Sequence, residues 1–163
     1  MIAPHESETI AQGMRAMGLH AFVLVYSIAP ARYPLALQEA ARAVRTVRAR
    51  AEQLRLDPRH IVMIGFSAGG HLAASVSALA DHPVSGGEDP GLCGISCRPD
   101  ALILCYSVLT SGEFAHRDSF LKLLGGDADA TMMQELSPDR LVSPAMPPVF
   151  LWHTVDDGTV PVE

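Results

Sequence analysis

An apolar run leads directly into a glycine-rich turn at residues 60–70, HIVMIGFSAGG, and this junction limits the possible folds more than any other stretch of the chain. Glycines on either side of Ser67 allow a turn so sharp that a side chain at position 65 or 69 would collide with the backbone. Residues 69–80 then place their apolar side chains at helical spacing. The segment therefore predicts a buried strand, a strained serine at a tight turn, and a helix.

Four segments are continuous apolar runs rather than alternating ones, which is typical of strands buried on both faces of a parallel sheet. They are residues 21–28, 60–66, 101–109 and 148–155. Helical patterns lie between and before them, in residues 8–18, 34–57, 69–80 and 119–126. This alternation predicts an α/β fold with a mostly parallel sheet of about four strands and helices on both faces. We expect one domain over residues 1–163, with ligand chemistry at the carboxyl ends of the strands.

Composition and charge argue against two classes of partner. The formal net charge is −6, and the basic cluster at residues 42–55 carries its arginines at the spacing of a solvated helix face. A nucleic-acid surface needs clustered Lys and Arg to neutralise phosphate, and a bilayer span needs roughly 20 apolar residues in a row. We therefore expect no nucleic-acid partner and no membrane association. The first ten residues lack the order of a signal peptide, which predicts a cytoplasmic protein.

The three cysteines, Cys93, Cys97 and Cys105, are predicted to be free thiols. The first two are spaced C-x3-C, but no second pair or nearby histidine completes a zinc site. The sequence therefore predicts neither a metal nor an organic cofactor.

Ser67 is the candidate nucleophile, because a Gly-x-Ser-x-Gly turn between a strand and a helix is the setting of a nucleophile elbow. The helix N-terminus lies under such a serine, so the N–H of Ala68 is the expected donor to a developing oxyanion. A glycine-rich turn with a merely capping serine is the structural alternative. A serine hydroxyl also needs a base that a carboxylate orients.

The candidate acid follows the last apolar run, in HTVDDGTVP at residues 153–161. Asp156 and Asp157 both lie at the expected carboxyl end of a strand, and in the elbow fold the acid follows the serine along the chain. We favour Asp157. An aspartate pair that only caps a turn is the alternative.

These motifs together resemble the α/β-hydrolase superfamily, in the esterase and lipase subgroup that includes acetyl-xylan and feruloyl esterase-like proteins. The resemblance covers nearly the whole chain and is carried by YSIAPARYPLAL, HIVMIGFSAGGHLAAS, SFLKLLGG and PPVFLWHTVDDGTVPVE. The family pattern His-Gly-x-x-Asp-x-x-Val-Pro maps onto residues 153–161, with Thr154 in place of glycine. This register implies that Asp157 is the acid of the catalytic triad.

The resemblance implies a serine hydrolase that forms an acyl-enzyme at Ser67 and needs no cofactor. The implied substrate is a small-molecule carboxylic ester with a short acyl group, including acetyl esters on carbohydrates. The two chain ends depart from the family pattern. A catalytic histidine is expected after the acid, but none follows Asp157, and the glycine-rich oxyanion loop expected before the first helix is not found.

Three histidines are candidate substitutes for the base, and none is favoured. His71 lies on the first turn of the helix after Ser67 and is structural in similar proteins; His153 belongs to the motif of the acid, and nothing in the sequence orients His116. Losing the base lowers turnover by about 10⁶ in a well-studied serine hydrolase. We therefore expect a truncated domain with almost no activity of its own.

The alternative is a non-catalytic scaffold that binds a ligand or forms a homodimer through open sheet edges. In the family's sheet, one further strand lies between those predicted here at residues 21–28 and 60–66. Without it, these two strands must close together or leave two edges unpaired.

Overall fold

The computed structural model describes residues 6–86, 89–126 and 128–162. The described residues form six α-helices and three β-strands. The helices are α1 (Glu8–Ala16), α2 (Leu35–Ala49), α3 (Ala51–Leu54), α4 (Ala68–Ala78), α5 (Arg117–Leu124) and α6 (Ala130–Glu135). The strands are β1 (Val62–Phe66), β2 (Ala101–Cys105) and β3 (Val149–Trp152).

The three strands form one parallel sheet in the order β1-β2-β3. Cys105 is in register with Phe66 on one side and with Trp152 on the other, so the carboxyl ends of the three strands lie in one row. The parallel sheet and its intervening helices confirm the predicted α/β class. The row of carboxyl ends is the edge at which the sequence placed the site.

Residues 21–28 are not a strand, so the sheet has three strands and not about four. A strand is defined by its ladder of hydrogen bonds, and this segment has no ladder partner among the described residues. Leu24 and Tyr26 pack on the core, and the hydroxyl and N–H of Ser27 donate to the Glu39 carboxylate at 2.7 Å each. Apolar composition therefore placed the segment against the core without making it part of the sheet.

Helix α4 packs on β1 and β2 and also contacts α2. Its small residues Ala73 and Ala74 are buried against Leu102 and Leu104 of β2. On its other side, α4 packs with α2 in a cluster of buried residues: Leu37, Ala40, Leu72 and Val76. The alanine-rich face predicted for this helix thus lets it approach the sheet closely.

The helix predicted over residues 34–57 is divided into α2 and α3 at Arg50. Helix α3 ends at Leu54, and the residue that caps it, Arg55, has a φ of 56° in the left-handed region, three residues before Pro58. The predicted span and its end near Asp57 are therefore close to the observed ones.

Strand β3 is exposed along its whole length, and the burial predicted for it is wrong. Val149, Phe150, Leu151 and Trp152 are 41%, 62%, 61% and 48% exposed. Within the described ranges, β2 is the only element with extensive contacts to β3. The strand therefore keeps the composition of a buried parallel strand without the covering layers that such strands have.

Candidate active site

Ser67 lies between β1 and α4 in a strained backbone conformation, with φ 50° and ψ −121°. Close packing enforces the turn, because a Cβ built on Gly65 would contact the carbonyl oxygen of Gly69 and lie 2.6 Å from the Cα of Gly70. The requirement predicted for Gly69 is wrong, since the nearest atom to its Cβ position would be the Tyr26 hydroxyl at 3.9 Å. The second obligatory glycine is Gly70, where a Cβ would overlap the hydroxyl oxygen of Ser107.

The end of β2 holds the Ser67 turn by backbone hydrogen bonds. The N–H of Ser67 donates to the carbonyl oxygen of Cys105 at 3.0 Å, and the N–H of Val108 donates to the carbonyl oxygen of Ser67 at 3.2 Å. These bonds fix the serine backbone from both sides. They keep it in a conformation that costs a non-glycine residue about 1–3 kcal/mol.

The Ser67 hydroxyl does not cap the helix. A capping serine accepts a hydrogen bond from an N–H of the first helical turn, and Ser67 has no such bond. No other hydrogen bond to this hydroxyl is found in the part of the chain that the structure describes. The observed geometry therefore lacks the contact on which the capping alternative depends.

Ala68 is the first residue of α4 and is exposed. The first N–H groups of a helix have no acceptor within the helix, and the helix dipole adds partial positive charge there. The N–H of Ala68 is therefore available beside the serine for an anionic oxygen.

Tyr106, which the sequence reading missed, follows β2 at the same edge of the sheet. Its φ of 37° is in the left-handed region, and its ring packs between those of Phe66 and Trp152, with centroids 5.9 Å away on each side. The hydroxyl donates to Glu6 Oε1 at 2.8 Å. Burial, and then the Glu6 carboxylate, raise the pKa of Tyr106 to about 12. The only sequence signal was an aromatic residue at the end of a predicted strand.

Asp157 lies in the loop after β3 and is held by that loop. Its Oδ1 accepts hydrogen bonds from the N–H of Thr159 at 2.8 Å and from the N–H of Val160 at 2.9 Å. These bonds, that from Val160 first, lower the pKa of the Asp157 carboxyl below its ordinary value. The side chain is 17% exposed, whereas Asp156 is an exposed residue. Of the two aspartates, Asp157 is the one with a fixed orientation.

His153 lies beside Asp157, with Nε2 3.6 Å from Oδ2 of the carboxylate. Its Nε2–H donates to the carbonyl oxygen of Val160 at 2.7 Å. This bond closes the loop around Asp157. It also occupies the ring nitrogen that faces the carboxylate.

His71 is buried in the core and makes no hydrogen bond to the serine hydroxyl within the described residues. Its Nδ1–H donates to the carbonyl oxygen of Val108 at 3.0 Å, and its ring meets Phe120 edge to face at 5.3 Å. Burial lowers the pKa of His71 to about 4. The ring is therefore neutral at physiological pH, in agreement with a structural role.

None of the histidines within the described ranges hydrogen-bonds to Ser67. His116 Nδ1 bonds the hydroxyl of Ser119 at 2.8 Å, in the first turn of α5, and His60 faces Asp57 at 3.1 Å. His82 accepts from the N–H of Val84, and His5 lies outside the described residues. The structure thus brings Ser67 and Ala68 together and fixes Asp157 at the same sheet edge, with no described histidine bonded to the serine.

The described residues contain no group of three His, Cys, Asp or Glu side chains that could hold a metal ion. No described helix has the length and apolar character needed to cross a bilayer. All three cysteines are free thiols, as predicted, and Cys97 is the buried one.

Comparison with known proteins identifies a family and several relatives. A family model described as the alpha/beta hydrolase fold matches residues 3–151. Endo-1,4-beta-xylanase B of Butyrivibrio fibrisolvens is 35% identical over 100% of this chain and 26% of that protein. Acetylxylan esterase of Xylanibacter ruminicola is 27% identical over 97% of this chain and 31% of that protein. The chain thus spans about a third or less of the two relatives.

A solved structure is similar in both fold and sequence. The acetyl ester-xyloside bifunctional hydrolase from Caldicellulosiruptor lactoaceticus superposes with a TM-score of 0.90 at 44% identity. The match covers 98% of this chain and 58% of that one.

Proposed function

The chain belongs to the α/β-hydrolase family, and from this premise we propose that Ser67 is the nucleophile of a carboxylic-ester hydrolase. The observation that carries the proposal is the backbone of Ser67, with φ 50° at a strand-to-helix turn and a hydroxyl free of any capping bond. Such strain is retained where the surrounding structure enforces it, and it is concentrated at functional sites.

In the proposed reaction, Ser67 Oγ attacks the carbonyl carbon of the ester and loses its proton to a base. The N–H of Ala68 donates to the oxyanion of the tetrahedral intermediate. The alcohol leaves with a proton, and the acyl group remains on Oγ as an ester. Water then attacks this acyl-enzyme, releasing the carboxylic acid and restoring the serine.

Asp157 is the proposed acid that orients the base. Its carboxylate has a depressed pKa, because it accepts bonds from Val160 and Thr159, and it is therefore ionised at neutral pH. An ionised, loop-held carboxylate is the group that orients an imidazole and stabilises its cationic form.

The proposed substrates are esters with short acyl groups, with acetyl esters on carbohydrates as the first class to test. One relative is an acetylxylan esterase, and the similar solved structure is an acetyl ester-xyloside hydrolase. Acyl transfer through a serine requires no cofactor.

We further propose that this chain alone turns over esters very slowly. His71 and His153 each donate a ring N–H to a backbone carbonyl, and His116 bonds a serine of its own helix. Without a base, turnover falls by about 10⁶ in a well-studied serine hydrolase. Acylation of Ser67 by an activated ester is expected to be slow, and deacylation slower still.

Intact-protein mass spectrometry after incubation with p-nitrophenyl acetate tests this proposal. We expect a single acetyl group to accumulate, and peptide mapping to place it on Ser67. Ser67→Ala should abolish the adduct, whereas Ser85→Ala, which changes a buried serine in the 3-10 turn that follows α4, should leave the adduct in place. Rapid turnover that depends on Ser67 would contradict the proposed slow turnover of this chain but support the assignment of Ser67 as the nucleophile.

An unlabelled chain, or an adduct that persists in Ser67→Ala, would instead refute the assignment of Ser67 as the nucleophile. The scaffold without catalysis would then be the better description. The absence of any described histidine bonded to Ser67 is the observation that favours this second function.

A further inference from the structure

Three hydrogen bonds connect His71, Val108 and Ser67 in a closed ring. The Nδ1–H of His71 donates to the carbonyl oxygen of Val108 at 3.0 Å, and the N–H of Val108 donates to the carbonyl oxygen of Ser67 at 3.2 Å. The backbone of α4 closes the ring, because the N–H of His71 donates to the same Ser67 oxygen at 3.3 Å. Only the bond from Nδ1 depends on the kind of side chain at position 71.

The segment that carries Val108 packs closely against the first turn of α4. Ser107 Oγ occupies the place that a Cβ on Gly70 would take. Phe120 meets the ring of His71 edge to face, and both His71 and Val108 are buried. The Val108 carbonyl therefore has little access to water, and without the Nδ1–H of His71 it would be left without a partner.

Val108 also connects the Ser67 turn to the Asp157 loop. Its side chain belongs to a buried cluster whose other members are Phe120, Met133 and Val160. The N–H of Val160 donates to Asp157 Oδ1 at 2.9 Å. Close-packed side chains transmit displacements to their neighbours. A shift of Val108 would therefore move both the nucleophile turn and the loop of the acid.

We propose that His71 is a positioning residue, which fixes Val108 and thereby holds Ser67 in the orientation needed for attack on the ester. The inference rests on the proposed function of Ser67. His71 exchanges no proton with the serine and does not contact the ester; it determines where the serine backbone, and hence Oγ, is placed. A displacement of about 1 Å at a reacting group lowers a rate by up to about 10².

The rate at which p-nitrophenyl acetate acetylates Ser67 tests the proposal in two variants of His71. Asparagine keeps an N–H near the position of Nδ1, whereas leucine fills the space without a donor. Both variants lose the contact between the imidazole and Phe120, so a purely structural contribution of the ring is lost equally. We expect His71→Leu to lower the acetylation rate about tenfold and His71→Asn to stay within about twofold of the parent.

Hydrogen exchange of the Val108 amide measures the ring of hydrogen bonds directly and needs no reactive serine. The amide of Leu102, which donates to the Pro148 carbonyl at 3.0 Å, is the reference within the sheet. We expect the Val108 amide of His71→Leu to exchange at least about tenfold faster relative to the Leu102 amide. In His71→Asn this ratio should stay within about twofold of the parent.

Val76→Ala is the matched control for a general loss of stability. Val76 is fully buried on the same helix, in the cluster that α4 shares with α2. Its truncation destabilises the fold, so the Val108 and Leu102 amides should exchange faster together. The acetylation rate should stay within about twofold of the parent under conditions where circular dichroism shows every variant to be folded.

Equal acetylation rates in His71→Leu and His71→Asn, or an unchanged exchange ratio in His71→Leu, would refute the positioning role and leave Ser67 as the nucleophile. A loss of rate in Val76→Ala as large as that in His71→Leu would also overturn it. Should His71→Leu not fold, His71→Asn still decides, because slow acetylation despite the retained donor contradicts the proposal. An unlabelled parent chain refutes the nucleophile and the positioning role together.

Discussion

The turns that carry Ser67 and Asp157 are built in opposite ways. The Ser67 turn is held by Cys105 and Val108, which lie far along the chain, and by the close approach of Gly70 to Ser107. The Asp157 turn is held by Thr159 and Val160 of its own loop. The first turn is therefore a tertiary structure, and the second is a local one.

The two turns therefore differ in whether their backbone conformation is strained. Tertiary contacts can hold a residue in an unfavourable backbone conformation, and Ser67 is in such a conformation. A local loop forms from its own hydrogen bonds and does not require a strained backbone. An added side chain at the Ser67 turn should therefore lower the free energy of unfolding more than an added side chain in the Asp157 loop.

Gly65→Ala should have the largest effect. A Cβ at position 65 would contact the Gly69 carbonyl oxygen and the Gly70 backbone, which cannot rotate away as side chains do. We expect the free energy of unfolding to fall by about 3 kcal/mol, measured by urea denaturation.

The matched control is Gly158→Ala in the Asp157 loop, where a Cβ would meet nothing within 4 Å. We expect a change within about 0.5 kcal/mol. Similar losses for both variants would remove the contrast between the two turns.

His71 should make stability depend on pH. The pKa of His71 is lowered by burial from 6.5 to about 4 in the folded protein, so the unfolded chain binds a proton first as the pH falls. The stability associated with neutral His71 is therefore present above about pH 6.5 and is lost progressively toward pH 4. Between about pH 7 and pH 5 the loss amounts to about 2 kcal/mol.

Denaturation of His71→Asn at the two pH values isolates this contribution, because all other titrating groups are common to both proteins. The amide N–H of Asn lies near the position of Nδ1 and keeps a donor for the Val108 carbonyl. We expect a weaker pH dependence in the variant. An equal dependence would show that His71 does not titrate in this range.

Asp157→Ala should destabilise the chain moderately, because the N–H groups of Thr159 and Val160 lose their shared acceptor. We expect a loss of about 1.5 kcal/mol in thermal unfolding at neutral pH. Asp156→Ala, which changes the exposed neighbour, should stay within about 0.5 kcal/mol of the parent. If the two variants lose stability equally, the orientation assigned to Asp157 is wrong.

Ser67→Gly should have the smallest effect and should increase stability. Glycine adopts φ 50° without strain, and after its greater freedom in the unfolded chain is subtracted, we expect a gain of about 1 kcal/mol. Ser67→Ala keeps the Cβ and the strain, so its stability should equal that of the parent. A Gly variant less stable than the Ala variant by about 0.5–1 kcal/mol, the ordinary cost of glycine, would mean that the turn stores no strain at Ser67.

Much of the fold was predictable because it depends on composition and spacing. The three observed strands lie within predicted apolar runs, and α4 begins one residue before its predicted span. Residues 21–28 were predicted wrongly for a physical reason. Their apolar character indicates contact with a core, but strand formation needs a partner, and a partner is not a property of the segment itself.

The site residues likewise divide into those that a local motif predicts and those that depend on tertiary contacts. Gly65 was recognised from its motif, but Gly70 was not, because Ser107 reaches it from the end of another strand. Tyr106 was missed because its left-handed backbone and its bond to Glu6 both come from tertiary contacts.

The sequence by itself determined the strand, turn and helix around Ser67 and the loop that holds Asp157. Both were predictable from residues close along the chain, namely the glycine at position 65 and the residues that follow Asp157, although Cys105 and Val108 hold the Ser67 turn in the folded protein. Only the tertiary structure decided that His71 is buried on Val108 and that β3 is left uncovered. Burial and pairing depend on what the rest of the chain places nearby, and no single segment encodes that.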